Sequence, residues 1–584
     1  MRTDPLLDDD NPCRPRHFKP SPIAETAVEG DRPGSLEVSR NRLLITGIAF
    51  SLAFAVVGVR LVAVTLTNGG AGGESKLGRI TAVAPVVPGR ADILDRNGSV
   101  MATTLTSPSL FANPQVISDP ADAAKQLAKI LPNASQADLL AKLNSDKSFV
   151  WLQRRLTAPQ QEAVNRLGIP GLEFQREDRR IYPDGPLAAH VVGYSGLDNK
   201  GLAGMERSFD GALSGQTQPL QLSIDIRLQN IVREELANAV TEFSAIGATG
   251  IVMDVKSGEV LSMVSLPDFD PNKLNTVVPA TIFNRATLGT YEMGSTFKIF
   301  NTALALENRK ATLTSMFDAT HPISYGRFTI HDDEPKNRYL SVAEIFMYSS
   351  NIGSVRMVQE SGIEAQKDFL GRLGLLKPAV VELPEIGTPL VPSPWRDINS
   401  YTIAFGHGLS VSPIQMATAV SAIVNGGILR PATLIKQPLG ADVPGQRVIS
   451  AKTSEEMRRL LRLVVTDGTG KSVDVPGYLV GGKTGSAEKS ANHGYAKHAL
   501  LTSFIAAFPI NDPKYLVMVM LDEPKGTKKT FGFALAAWNA GPTAGRVIAR
   551  MAPLFGLKPV DETPEIHRAI SVDIPGLGKK IAAN

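Results

Sequence analysis

The chain has 584 residues, too many for one compact domain; at ~150 residues per domain the length suggests three to four units. Hydrophobic residues make up 43% and charged residues 20%, which excludes a wholly disordered chain and a multi-span membrane protein. The net charge of +4 comes from basic residues spread along the chain and gives no reason to expect nucleic acid, while the single cysteine, Cys13, excludes an intrachain disulfide framework and a Cys-based zinc site.

Residues 1–42 are rich in Pro, Asp and Arg and read as a disordered tail. Leu43 to Val59 carries no charge, and after Arg60 the chain stays apolar from Leu61 to Leu66. As a helix the first run covers roughly 26 Å, close to a bilayer core, and Arg60 can snorkel toward the headgroups. The pattern therefore predicts one transmembrane helix over 43–66, favoured over a buried core helix and over a cleavable signal peptide. Arg32, Arg40 and Arg42 precede the run, whereas Lys76 and Arg79 follow it only after a Gly-rich stretch. This asymmetry places the N-terminus in the cytoplasm and everything after about residue 67 outside, on a single-pass protein of the cytoplasmic membrane.

From about 84 to 215, short β-rich stretches alternate with small helical segments, punctuated by Pro114, Asp119–Pro120, Pro170 and Pro183–Asp184–Gly185. Leu222 to Asp225 reads as a strand leading into a helix from Arg227 to Val240. Thr249–Asp254 and Glu259–Val264 read as strands joined by a tight turn at Val255–Gly258. Thr453-Ser454-Glu455-Glu456 reads as a capping box for a helix ending near Gly468. Tyr478–Val480 reads as the entry to a strand. Thr502–Pro509 and Tyr515–Leu521 read as buried strands, Gly541–Leu554 as a last helix, and the chain past 560 as a loose tail.

Ser295-Thr296-Phe297-Lys298 opens a helix-like segment running to about Leu306, with Gly294 permitting a tight entry. Spacing of three puts Lys298 one turn from Ser295 on the same helix face. A serine hydroxyl needs a base to take its proton, and a lysine in apolar surroundings has a lowered pKa and can be that base. Ser-x-x-Lys alone is weak, expected about twice by chance in a chain of this size. A second copy, Ser486 to Lys489, reads as coincidence. Context decides: Ser349-Ser350-Asn351 and then Lys483-Thr484-Gly485 follow in order, and the ordered set is the signature of penicillin-binding proteins and serine β-lactamases.

The wider segments are more specific. Asn284 to Lys298 and Ser349 to Gly353 resemble the active-site stretches of class B penicillin-binding proteins. Phe405-Gly406-His407-Gly408-Leu409, Ser412 to Ala417, and Asp522-Glu523-Pro524-Lys525 resemble the division-specific (septal) transpeptidase branch, the penicillin-binding protein 3 group. Arg90 to Gly98 and Gly201 to Gly215 resemble the pedestal motifs of that family, with Ala91 where a Gly is usual. Met293 stands where Pro often precedes the Gly-Ser, and Ser486 replaces a usual Thr while keeping the hydroxyl.

The resemblance implies an α/β architecture with a single N-terminal transmembrane helix, an elongated α+β pedestal (67–215), and a penicillin-binding/β-lactamase-like transpeptidase domain (216–560) built as an antiparallel sheet flanked by helices. It implies a peptidoglycan D,D-transpeptidase that crosslinks stem peptides through a Ser295 acyl-enzyme and binds β-lactams. Lys298 is then the general base, Ser349 the proton relay and Asn351 the holder of the donor peptide. Lys483, with Thr484, Gly485 and Ser486, faces the donor's terminal carboxylate. The backbone N–H groups of Ser295 and Ser486 form an oxyanion hole. No metal or cofactor is implied. Implied partners are peptidoglycan stem peptides, membrane lipid, and a membrane glycosyltransferase of the division machinery (FtsW-like) with other division proteins.

Other readings are an elongation-type transpeptidase, a β-lactamase, and a membrane β-lactam sensor or scaffold. The pedestal and the absence of an evident deacylating Glu motif argue against the second, the short cytoplasmic tail against the third. Three local features invite other chemistry. His331-Asp332-Asp333-Glu334 reads as a solvated loop rather than a metal site, since adjacent residues on a strand face opposite sides. Gly468-Thr469-Gly470-Lys471-Ser472 imitates a phosphate loop but lacks its first glycine, with Val465 there. His407 reads as a satisfied polar residue, and Glu206 equally as a structural ion pair or a regulatory contact.

Overall fold

The computed structural model describes residues 34–68 and 89–574, apart from positions 133, 197, 327, 492 and 493. The chain divides into two compact units, Met1–Val86 and Val87–Asn584. In the first, Gly34–Asn68 is one continuous helix, so the expected disorder does not extend over 34–42; positions 1–33, Cys13 included, lie outside the described residues. The described apolar side chains of this helix are exposed, Phe54 at 73% and Val59 at 70% among them. Among the described residues, no helix is long and apolar enough to cross a membrane. Leu43, Leu61 and positions 63–66 of the expected span lie outside the residues whose side chains are described.

The second unit begins with an α+β region. A long strand, Val100–Ala112, pairs antiparallel with Leu172–Ile181 along most of its length and with Val150–Gln153 at its far end. Three helices, Pro120–Ile130, Gln136–Leu143 and Ala158–Leu167, cover this sheet and close a small core of Leu110, Leu127, Leu139, Leu143, Leu152 and Val164. Each helix starts where the sequence supplies a cap: Asp119, Ser135 and Thr157 accept from the first-turn N–H groups.

The larger part is built on a five-stranded antiparallel sheet: β1 (Gly247–Asp254), β2 (Val260–Leu266), β3 (Gly481–Ala491), β4 (Gly494–Phe508) and β5 (Tyr515–Asp522), in spatial order β3-β4-β5-β1-β2. Alternate residues of one strand enter different cores. Val252, Phe504, Val517 and Val519 join helices Ile226–Glu242 and Ala540–Leu554 on one face. Ile251, Ile505, Leu516 and Met518 join a larger core on the other. Where such a sheet is buried on both sides its strands are rich in apolar residues, as in β5, YLVMVMLD, whereas β3, GGKTGSAEKSA, is not an apolar run. Each large apolar side chain contributes about 1.5–3 kcal/mol on burial.

Several expected boundaries move. Helix Ala451–Thr466 is capped by Ser450, whose hydroxyl accepts from Thr453 N–H, so the expected box at 453–456 falls inside the first turn. The strand carrying Lys483 starts at Gly481, after Leu479 with φ +44°, so 478–480 lies outside the strand. The chain past 560 is not loose over its described length. Pro564–Ile570 is a helix, Ile570 and Ile574 are buried, and Arg459 Nε donates to the Ser571 carbonyl at 2.8 Å.

Candidate active site

Ser295 lies in a 3-10 turn, Gly294–Phe297, that runs directly into helix Lys298–Glu307. That helix threads the larger core, and every residue from Lys298 to Leu306 is buried. Gly294 has φ +55°, and a Cβ on it would fall 2.6 Å from the Ser486 carbonyl; one on Gly406 would fall 1.8 Å from the Gly294 carbonyl. The nucleophile turn is thus wedged between β3 and the Gly406 loop at main-chain distance. Gly485 serves the same approach from the strand side, its Cβ position lying 2.6 Å from the Met293 carbonyl.

Ser349 caps helix Val342–Tyr348 in the left-handed region (φ +62°), and Asn351 opens helix Asn351–Ser361 behind the N-cap Ser350. The turn between the helices aims Ser349 and Asn351 at the buried end of Lys298. Lys298 Nζ lies 3.1 Å from Ser295 Oγ, 3.1 Å from Ser349 Oγ and 2.6 Å from Asn351 Oδ1, and it also donates to the Ser349 carbonyl. Lys483 Nζ reaches the same Ser349 Oγ at 3.1 Å and the Thr484 carbonyl at 3.3 Å. Three distant stretches of chain therefore meet at one hydroxyl.

Both amines are fully enclosed, Lys298 at 1% exposure and Lys483 at 0%. Burial pulls the Lys298 amine down to about 8, against a smaller upward pull from Asp333 and Asp332. Burial, reinforced by the Lys298 charge, pushes Lys483 well below its ordinary value. The oxygens around Lys298 are neutral and replace its water shell only in part, so burial shifts the balance toward the neutral, basic form.

Ser295, Ser349, Thr484 and Ser486 open onto a cleft of about 400 Å³, rimmed by Asp333, Glu334, Lys336 and Leu535. Asn351 Nδ2 donates to the His331 carbonyl. Ser486 Oγ accepts from Ala536 N–H at 3.1 Å, and Thr484 Oγ1 lies 2.8 Å from Thr469 Oγ1. Among the described residues no group of His, Cys, Asp or Glu is arranged to hold a metal ion.

Sequence reasoning missed two contributors. Asp332, expected in a solvated loop, is 8% exposed and accepts from Ser350 Oγ and Ile352 N–H. Thr469, set aside with the imitation phosphate loop, is part of the cleft wall. His407 Nδ1 sits 3.1 Å from Glu292, which also accepts from Gly408 N–H.

Comparison with known proteins agrees with this architecture. A family model described as the penicillin binding protein transpeptidase domain matches residues 248–538, and one described as the penicillin-binding protein dimerisation domain matches 85–239. The chain is 40% identical over 528 residues to a probable peptidoglycan D,D-transpeptidase FtsI of Caulobacter vibrioides, covering 88% of this chain and 89% of the relative. It is 29% identical over 506 residues to the peptidoglycan D,D-transpeptidase FtsI of Escherichia coli K12, covering 80% and 85%. The crystal structure of penicillin binding protein 3 from Mycobacterium tuberculosis complexed with ampicillin superposes with a TM-score of 0.65 at 25% identity, covering 82% of this chain and 97% of that one.

Proposed function

The chain belongs to the penicillin-binding proteins, as a class B member with a dimerisation domain and a transpeptidase domain, and from that premise we propose how its site performs peptidoglycan D,D-transpeptidation. The substrate is a stem peptide ending in D-Ala-D-Ala. Ser295 Oγ attacks the penultimate carbonyl while neutral Lys298 takes the hydroxyl proton across 3.1 Å. The tetrahedral oxyanion is held by the backbone N–H groups of Ser295 and Ser486, a contribution of about 3–4 kcal/mol per donor in comparable sites. The proton passes from Lys298 through Ser349 Oγ to the departing amine, the C–N bond breaks, and D-Ala leaves. An amine of a neighbouring stem then attacks the acyl-enzyme, returns a proton by the same route and frees Ser295.

Lys483, Thr484, Gly485 and Ser486 form the wall that takes the donor's terminal carboxylate, and Asn351 orients the donor peptide. An arriving carboxylate brings a negative charge against Lys483 and draws a proton onto it. A β-lactam presents the same carboxylate and a strained amide, and it acylates Ser295. The observation that carries this reading is the enclosed amine of Lys298 bridging Ser295 and Ser349 at equal distances.

The FtsI relatives support a septal role. The exposed apolar side chains of helix Gly34–Asn68, with the uncharged run in the sequence, support anchoring of that helix in the cytoplasmic membrane with the enzyme outside. The pedestal is assigned to 67–215 and the transpeptidase domain to 216–560, and glycan polymerisation to a membrane glycosyltransferase partner. Labelling membranes with a fluorescent penicillin tests the chemistry: a band in wild type, lost in Ser295→Ala, is expected, and no wild-type band overturns the enzyme. Depletion in cells tests the role: filaments are expected, and rounding instead assigns it to side-wall growth.

A further inference from the structure

The dipeptide His331–Asp332 grips the turn that carries Ser349 and Asn351. Asp332 Oδ2 accepts from Ser350 Oγ at 2.7 Å, and Oδ1 accepts from the backbone N–H of Ile352 at 2.9 Å. The His331 carbonyl accepts from Asn351 Nδ2 at 2.9 Å. Ser350, Asn351 and Ile352 are thereby tied in succession to one edge of the neighbouring loop.

The turn needs such a hold. Ser349 is not glycine yet sits at φ +62°, a conformation that persists only where its surroundings over-determine it. Its payload is exacting: the Ser349 carbonyl, Ser349 Oγ and Asn351 Oδ1 all accept from Lys298 Nζ. A small rotation of the turn would pull these acceptors off the amine and change its reach to Ser295.

We propose that Asp332 is a positioning residue of acyl transfer, its carboxylate clamping the Ser349–Asn351 turn against the Lys298 amine. This rests on the transpeptidase reading of the site. The carboxylate acts twice, as a geometric clamp and as a negative charge near Lys298. The charged groups facing Lys298 are Lys483 from β3 and Asp332 and Asp333 from the loop.

The test uses the full chain and measures the acylation rate constant with a fluorescent penicillin across pH, together with thermal melting. Asp332→Ala removes both acceptors, and per folded molecule it is expected to acylate about 10²-fold more slowly, the scale of loss from a misplacement near 1 Å. Asp332→Asn can still accept from Ile352 and bond Ser350, so its rate stays within about 10-fold of wild type. Its rising pH limb moves to lower pH, because Lys298 loses a neighbouring negative charge. A purely structural role would instead lower melting temperature while the folded fraction kept the wild-type rate and pH limb, and that result overturns the proposal. If Asp332→Ala does not fold, Ser350→Ala, which removes the Oδ2 bond of the clamp, takes its place, and a wild-type acylation rate per folded molecule in that variant overturns the proposal. A wild-type chain that is not acylated removes the site reading and this proposal with it. An acylated wild type matched by both variants removes only the positioning role.

Discussion

Two sets of buried cations in this molecule are handled in opposite ways. Where residues 89–112 meet 180–214, Arg90 (4% exposed) and Arg180 (7%) converge on Glu206 (0%). Arg90 Nε and Arg180 Nε each bond a Glu206 carboxylate oxygen, and Arg90 Nη1 also reaches Asp210 at 2.6 Å. In the cleft, Lys298 and Lys483 are buried as deeply, but the hydrogen-bond partners recorded for them among the described residues are all neutral oxygens. A guanidinium stays charged at any accessible pH, so burying it demands an acid. An ammonium can shed its proton, and burying it without an acid makes a base. One arrangement fixes shape; the other stores reactivity.

The comparison breaks most visibly at Lys298. Lys298→Met should lower acylation by about 10²–10⁴-fold while leaving the melting temperature within a few degrees, as stopped-flow labelling and calorimetry would show. An activity loss accompanied by unfolding would mean that the amine is structural. Glu206→Ala should do the reverse. It leaves two guanidiniums buried without their acid and costs about 3–5 kcal/mol of stability, read by denaturant titration, with the acylation rate of folded molecules unchanged.

The pH dependence sharpens the contrast. Acylation should rise with pH through about 8 as Lys298 loses its proton. The stability term has the same sign. The folded state holds Lys298 at about 8 against an ordinary 10.5, so the unfolded chain binds more protons between those values and stability gains with pH across that window. The penalty of the buried ammonium is fully present below about 8. A flat rate profile from pH 7 to 9 would show that the base is another group. The smallest expected effect is at Ser450→Ala, which removes the helix cap and costs about 1 kcal/mol without altering the pH of half-maximal rate.

The sequence exposed the chemistry better than it exposed the supports. Ser295, Lys298, Ser349 and Lys483 were nameable because their spacing and order belong to few other patterns, and the structure brings them together. The central strands were legible because burial on both faces makes them rich in apolar residues, as in Tyr515–Asp522. Caps and clamps were less so. Ser450 and Thr453 are both capping types, and Glu307, distant in sequence, fixes the end by accepting from Ser450 N–H and from both hydroxyls. Asp332 looks like any acid in a polar loop until the fold carries it to Ser350. The start of β3 was misplaced because Leu479 adopts a left-handed conformation that no local propensity demands of a leucine. For the cap and the clamp the deciding contact is made by a residue distant along the chain.

The corner where Gly294, Gly406 and β3 cross has a bearing on inheritance. Main chain touches main chain there, so every single-codon exchange of either glycine adds atoms where none fit. The seat of the nucleophile is thereby closed to gradual variation by substitution at these two positions.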